Sequence, residues 1–333
     1  VLLGTDGAGV VRSIDGGRSW VASNAGFSER FVSRMVFDRV GQRVLAGIWG
    51  DRHHGGVFAA SSARGPWYRF GTGLEGREVL SLALIGNEVI AGTDDGMFLS
   101  SGSTGAWQRL TTVVDGADLH PRVTDVIALP PRKVLAATSK GLLRTADGGR
   151  TWQRLALGMS THISTLTVSP NDSNLVVATT PLGFFRSRDG GDTWAQLSAG
   201  LGDLLVHSVA FVPTDDTILY AATPQGLFRS GDQGATWGRA TGGIPWADIT
   251  GLAVHPDGRT IYASDFSRGG VFRTVNAGAT WERISGEGLA SERIWTLAVD
   301  PSSPERVLAA SPTGGLHLLL PPAPPAAAAG GQP

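Results

Sequence analysis

"GLLRTADGGRTWQRL", residues 141–155, reads as a strand, a tight polar turn and the start of a second strand. An aspartate, two glycines and a threonine directly in front of a tryptophan are compatible with a metal loop, a phosphate cradle or a catalytic carboxylate. Recurrence decides among these readings. The phrase S/T-x-D-x-G-x-S/T-W is complete in "SIDGGRSW" (13–20), "TADGGRTW" (145–152), "SRDGGDTW" (187–194) and "SGDQGATW" (230–237). It carries Asn276 for aspartate in "TVNAGATW" (274–281), and it is degraded in "SSARGPW" (61–67) and "SGSTGAW" (101–107).

Seven of the ten tryptophans close such a phrase: Trp20, Trp67, Trp107, Trp152, Trp194, Trp237 and Trp281, at spacings of 47, 40, 45, 42, 43 and 44 residues. A strand of the form "GVVRS" (9–13), "GFFRS" (183–187) or "GVFRT" (270–274) precedes most of them. Two further short apolar runs lie upstream of each, as in "HISTLTVS" (162–169) with "NLVVATT" (174–180), or "LVHSVAF" (205–211) with "TILYAAT" (217–223). Each unit is therefore four strands, A to D, at about the length of a propeller blade. Near-twofold periodicity and 47 glycines leave no helix pattern, so the chain is all-β.

Six complete units run from Phe31 to Ile284. The N-terminus offers strands B, C and D ("VLLGT", "GVVRS", "SWVAS"), and "RIWTLAVD" (293–300) offers an A. Joining the two ends predicts a single seven-bladed β-propeller over residues 1–320, closed without an exposed edge. The segment "RVLAASPTGGLHLLL" (306–320) resembles a second copy of residues 1–13, and only one copy fits beside the closing strand A. An eighth, incomplete blade is the alternative. The Pro/Ala/Gly-rich end, 321–333, is expected to be a disordered tail.

The repeated phrase resembles the Asp-box, or bacterial neuraminidase repeat, of sialidases, xyloglucanases, sortilin-type receptors and the photosystem II stability and assembly factor family. The resemblance covers nearly the whole chain and implies the propeller. It also implies architectural work for Asp15, Asp147, Asp189, Asp232 and Asn276, and for Trp20, Trp152, Trp194, Trp237 and Trp281. A carboxylate in a tight turn accepts backbone N–H groups, glycine takes positive φ, and tryptophan packs between blades. Copy number argues the same way, because an active site is one asymmetric constellation and these turns are spread round a ring.

Function is then expected where the units disagree, on the face formed by the D–A and B–C connections. The residue before each strand A is Phe31, Glu78, Arg122, His162, Leu205, Asp248 or Arg293, and the next is always Val or Ile, which predicts a mixed-charge rim above an apolar wall. Three tryptophans outside the boxes, Trp49, Trp246 and Trp295, map to that face. So do two expanded B–C loops, "IWGDRHHGG" (48–56) and "ASDFSRGG" (263–270). The candidate ligand-binding set is Trp49, Asp51, Arg52, His53, His54, Trp246, Asp248, Asp265, Arg268, Arg293 and Trp295. Aromatic platforms beside charged groups suit a protein, peptide or glycan ligand.

Composition sets outer limits. The 333 residues are 41% hydrophobic and 17% charged with a net charge of −1, which disfavours a nucleic-acid partner. Cysteine is absent, removing thiolate metal sites and thiol nucleophiles. His53 and His54 are adjacent and point apart on an extended chain, so neither a metal nor another cofactor is expected. No apolar run is long enough for a spanning helix, so no direct membrane insertion is expected. A monomer is expected, with an exported location favoured.

Among the relatives, a sialidase-like site would need a tyrosine nucleophile. Tyr220 and Tyr262 share a strand-B position that is Leu135 or Val177 in other units, Tyr68 follows a box tryptophan, and the Arg-Ile-Pro segment typical of sialidases is missing. The favoured reading is a non-catalytic binding or assembly module, as in the photosystem II assembly factor family. The alternative is a xyloglucanase-like glycoside hydrolase using Asp51 and Asp265 as its carboxylate pair.

Overall fold

The computed structural model describes residues 2–5, 9–12, 21–22, 31–50, 53, 55–61, 66–101, 105–155, 162–181, 183–197, 199–202, 204–240, 242–244, 248–284, 296–299, 307–311 and 315–319. Every regular element among them is a β-strand. Six antiparallel sheets have the strand order A-B-C-D. Their inner strands A are Phe31–Asp38, Val79–Ile85, Val123–Leu129, Thr165–Val168, Ser208–Val212 and Ile249–Val254, which define blades 1 to 6. A small hairpin, Val113–Val114 with Ala117–Asp118, is inserted between blades 2 and 3.

The expected seventh blade is not found among the described residues, whose propeller has six four-stranded blades. Thr296–Val299 pairs with Val307–Ser311 and then Gly315–Leu319 as a three-stranded sheet, while Leu2–Thr5, Gly9–Arg12 and Val21–Ala22 form another. The second copy of the B–C phrase thus takes the place beside the last strand A. A neighbour a few residues along the chain closes a short loop, whereas recruiting residues 1–5 closes one spanning most of the chain, at greater entropic cost.

Burial follows strand position. Strands B are covered on both faces and read as nearly continuous apolar runs, such as Arg43–Trp49 and Lys133–Thr138. Outer strands such as Tyr68–Arg69 and Glu282–Arg283 are exposed. The core lies between blades: Leu45, Val57 and Phe70 of blade 1 pack on Leu82, Val89 and Trp107 of blade 2, and the pattern recurs round the ring.

The boxes fasten one blade to the last. In the box of blade 3, the Thr145 hydroxyl donates to Asp147 Oδ1 (2.6 Å) and accepts from the Gly149 amide (3.0 Å). Asp147 Oδ1 also accepts the Arg150 and Thr151 amides, and Oδ2 accepts the Thr151 hydroxyl at 2.6 Å. These donors hold the Asp147 carboxyl far below the usual range. Asp189 repeats the arrangement; burial pushes its carboxyl up, but hydrogen bonds from Thr193 and Ser187 outweigh this and lower it. Asp232, bonded by the Thr236 hydroxyl and amide, is lowered to about 2.

The box tryptophans Trp152, Trp194 and Trp237 donate to Gly149, Gly191 and Gly234 carbonyls. Those glycines have φ of 98°, 91° and 83° and face Leu110, Leu135 and Phe184 of the preceding blade. Trp237 meets the Phe184 ring edge-on at 5.2 Å. Where Asn276 replaces aspartate, its Oδ1 still accepts the Thr280 amide, but its Nδ2 now donates to the Thr280 hydroxyl. Trp281 there has an indole N–H without a partner among the described residues. Asp15 and Trp20 lie outside the described residues.

Candidate functional site

The six inner strands surround a channel. A cavity of about 450 Å³ runs along their apolar side chains, including Val36, Ile127, Leu166 and Val209, and Leu297 of the C-terminal sheet joins this lining. A smaller, polar cavity of about 180 Å³ forms its mouth on the D–A side, with side chains from all six blades.

The mouth is made by a repeated backbone irregularity. In blades 1, 2, 3 and 6 the A–B register shifts between Val32 and Arg34, Val79 and Ser81, Val123 and Asp125, and Ile249 and Gly251. A bulge leaves one residue out of the ladder and re-aims its side chain. Here those residues are Ser33, Leu80, Thr124 and Thr250, and all four line the mouth. The Ser33 hydroxyl donates across the blade boundary to the Val79 carbonyl (2.7 Å), as Thr124 does to Ile163 (3.1 Å).

The apolar part of the channel wall is not built by the expected residues. Among the described residues, the Val or Ile after each rim residue, from Val32 and Val79 to Ile249, is buried at 0–1% exposure. Those residues pack among the blade cores, while a ring of hydroxyls occupies the mouth. The ring had a visible signal: Ser33, Thr124, Ser164 and Thr250 stand at one repeat position, two residues after the rim.

Charge at the mouth is mostly engaged. Asp125, 4% exposed, accepts the Val126 amide on Oδ1 and the Thr165 hydroxyl and Leu166 amide on Oδ2. His207 Nε2 lies 3.1 Å from Asp248 Oδ1, joining the rim of blade 6 to blade 5. Further round, Asp95 binds Arg77 (3.0 Å) and Arg109 (2.6 Å), and Arg122 faces Glu78 at 3.9 Å. On this rim Leu205 is an exposed apolar side chain, at 42%.

The candidate ligand-binding residues divide. Asp248 and Asp265 are neighbours, since Ile249 pairs with Asp265 and the Phe266 amide donates to the Asp248 carbonyl. Asp265 is only 1% exposed, and its Oδ1 accepts the Ser267 amide and hydroxyl and the Arg268 amide. That carboxylate shapes its own loop, leaving Arg268 exposed beyond it. Trp49 is half-buried at the end of strand B of blade 1, paired with Phe31, and His53 is exposed just after it. Asp51, Arg52, His54, Trp246, Arg293 and Trp295 lie outside the described residues.

Residues 103–311 match the family model of the photosynthesis system II assembly factor YCF48. No curated protein matches the chain in sequence. Among solved structures, a GH74 enzyme from Niastella koreensis is similar at 17% identity and a TM-score of 0.67, over 87% of this chain and 52% of that one. The chain thus spans about half the length of that enzyme. YCF48 from Cyanidioschyzon merolae gives 17% identity and a TM-score of 0.69, over 88% of this chain and 96% of that one. YCF48 bound to D1 peptide gives 17% and 0.67, over 88% and 94%. The extracellular domain of the putative one component system BT4673 from B. thetaiotaomicron gives 15% and 0.70, over 93% of this chain and 39% of that one. At these identities the similarity speaks for the fold.

Proposed function

The chain belongs to the family of the photosynthesis system II assembly factor YCF48, and on that premise we propose that it is a non-catalytic module that binds a client protein through an extended peptide segment. The observation that carries this reading is the D–A face. It opens on a hydroxyl-ringed mouth, and its buried carboxylates Asp125 and Asp265 each already accept three hydrogen bonds. Ring hydroxyls and rim charges suit a peptide backbone and its polar side chains, whereas glycoside hydrolysis needs two carboxyls left free to exchange protons. A YCF48 structure with bound D1 peptide supports a peptide as the ligand class.

The proposed binding face comprises Trp49, His53, Asp248, Arg268 and the exposed Leu205, and the repeat pattern adds Trp246, Arg293 and Trp295, which lie outside the described residues. A monomer in an exported setting is the working form, and the extracellular BT4673 domain supports that setting. The test is cross-linking capture of clients from the native host extract by the whole chain and by two variants. The combined Trp246→Ala and Trp295→Ala variant and the Leu205→Glu variant should both lose the captured client. Capture unchanged in both would remove the face from consideration.

A further inference from the structure

We propose that the central channel is a binding site for a small carboxylate with a short apolar tail, held head-first by Arg34. The site shares its mouth with the peptide-binding reading and adds the channel behind it, and its test uses neither peptide nor client, so either can fail without the other.

Arg34 lines both the polar mouth and the 450 Å³ channel, so its guanidinium stands where the two meet. Among the described residues, the nearest carboxylate oxygen to it is Asp125 Oδ1, at 3.9 Å, too far for a hydrogen bond. Asp125 is already committed to the Val126 and Leu166 amides and the Thr165 hydroxyl. Arg34 makes no hydrogen bond among the described residues, and its side chain is 40% exposed. A guanidinium offers a planar fork of donors that fits a carboxylate in bidentate fashion.

A second donor stands nearby. The Ser164 hydroxyl, at the wall of the same mouth, is shielded from solvent and has no partner among the described residues. A buried hydroxyl left unpaired is costly, so a ligand oxygen that accepts from it recovers that cost. Beyond Arg34 the lining mixes aliphatic side chains, Val36, Ile127, Val168, Val209 and Leu252, with Thr165, Thr167 and Ser208. The cavity volume lies in the range typical of small-molecule sites. One cation and one hydroxyl at the head, with aliphatic side chains along part of the bore behind, select a carboxylate joined to a short hydrocarbon chain and disfavour a bare anion or a neutral alcohol.

Titration calorimetry of the whole chain with octanoate and hexanoate tests this, with acetate and 1-hexanol as controls. Octanoate should bind saturably and more tightly than hexanoate, with acetate and 1-hexanol much weaker. Arg34→Gln should weaken octanoate about tenfold, as expected for loss of a charge-assisted pair. Val36→Trp, which fills the bore from a partly exposed position, should abolish binding while circular dichroism and the melting transition stay unchanged. The proposal is overturned if octanoate gives no saturable heat, if 1-hexanol binds as tightly as hexanoate, or if Arg34→Gln leaves the affinity where it was.

Discussion

The phenol of Tyr220, on strand B of blade 5, donates a 2.9 Å hydrogen bond to the carbonyl of Ala277 in the box turn of blade 6. Tyr220 is 1% exposed, so this bond is made in a dry interface. Lys133 plays the same part from blade 3, reaching the Asp189 and Gly190 carbonyls of the next box. Burial and the neighbouring Arg144 lower the pKa of that ammonium. Tyr220→Phe keeps the ring and removes only the bond, leaving a carbonyl short of a donor. The expected loss is about 1 kcal/mol of unfolding free energy, read as a lower midpoint in urea with an unchanged slope.

Close approach of blades predicts a sharper effect at Gly234. Its φ is 83°, and a Cβ there would collide with the Phe184 ring. Gly86 also has a left-handed φ, 63°, but nothing lies within 4 Å of where its Cβ would stand. Gly86→Ala therefore isolates the backbone cost, about 1 kcal/mol. Gly234→Ala adds displacement of an interlocked aromatic ring, for a total of about 3 kcal/mol or more. Equal destabilisation of the two variants would mean that the box glycine is kept for its φ alone.

These contacts show what the sequence could and could not reveal. Strand order and blade length were legible because each unit repeats an apolar pattern of period two and ends on a tryptophan. The blade count was not. Residues 306–320 and 1–13 carry equivalent patterns, and the choice between them turns on loop closure rather than residue type. The rim residue Asp248 was legible as a point of disagreement between units, and the structure adds its partner His207. The hydroxyl ring was harder to see because alternation alone puts Ser33 and Thr124 on the face opposite their neighbours Val32 and Val123. In blades 1 and 3 a register shift leaves those residues out of the ladder, where their hydroxyls line the mouth.

The box aspartates make stability depend on acidity. The carboxyl of Asp232 is lowered to about 2, and those of Asp147 and Asp189 are lowered as well. An unfolded aspartate titrates near 3.9, so the unfolded chain takes up these protons first. Their stabilising contribution is complete above about pH 4 and is lost as pH falls through the folded values, toward pH 2 for Asp232. Unfolding followed from pH 7 to pH 2 should show a plateau and then a steep fall below about pH 4. The triple variant Asp147→Asn, Asp189→Asn, Asp232→Asn should flatten that fall, since each asparagine can hold its turn as Asn276 does. An undiminished acid transition in the triple variant would assign it to other carboxylates.

Asp265 separates a structural carboxylate from a catalytic one. Its Oδ1 holds the Ser267 amide and hydroxyl and the Arg268 amide, and the side chain is 1% exposed. Removing it takes away three hydrogen bonds to a charged acceptor, so Asp265→Ala should destabilise the protein by about 1–3 kcal/mol and raise proteolysis within residues 266–270. Asp265→Asn retains an acceptor oxygen and should be milder. A catalytic carboxylate gives no such ranking in activity, because an amide cannot exchange the proton that hydrolysis requires and both variants would be equally inactive. The measurement is polysaccharide hydrolysis alongside thermal unfolding for the parent and both variants. Hydrolysis by the parent that vanishes in a fully folded Asp265→Asn would replace the binding-module reading with a glycosidase. No hydrolysis in any of the three, with stability falling from parent to Asn to Ala, is the outcome expected from the turn geometry.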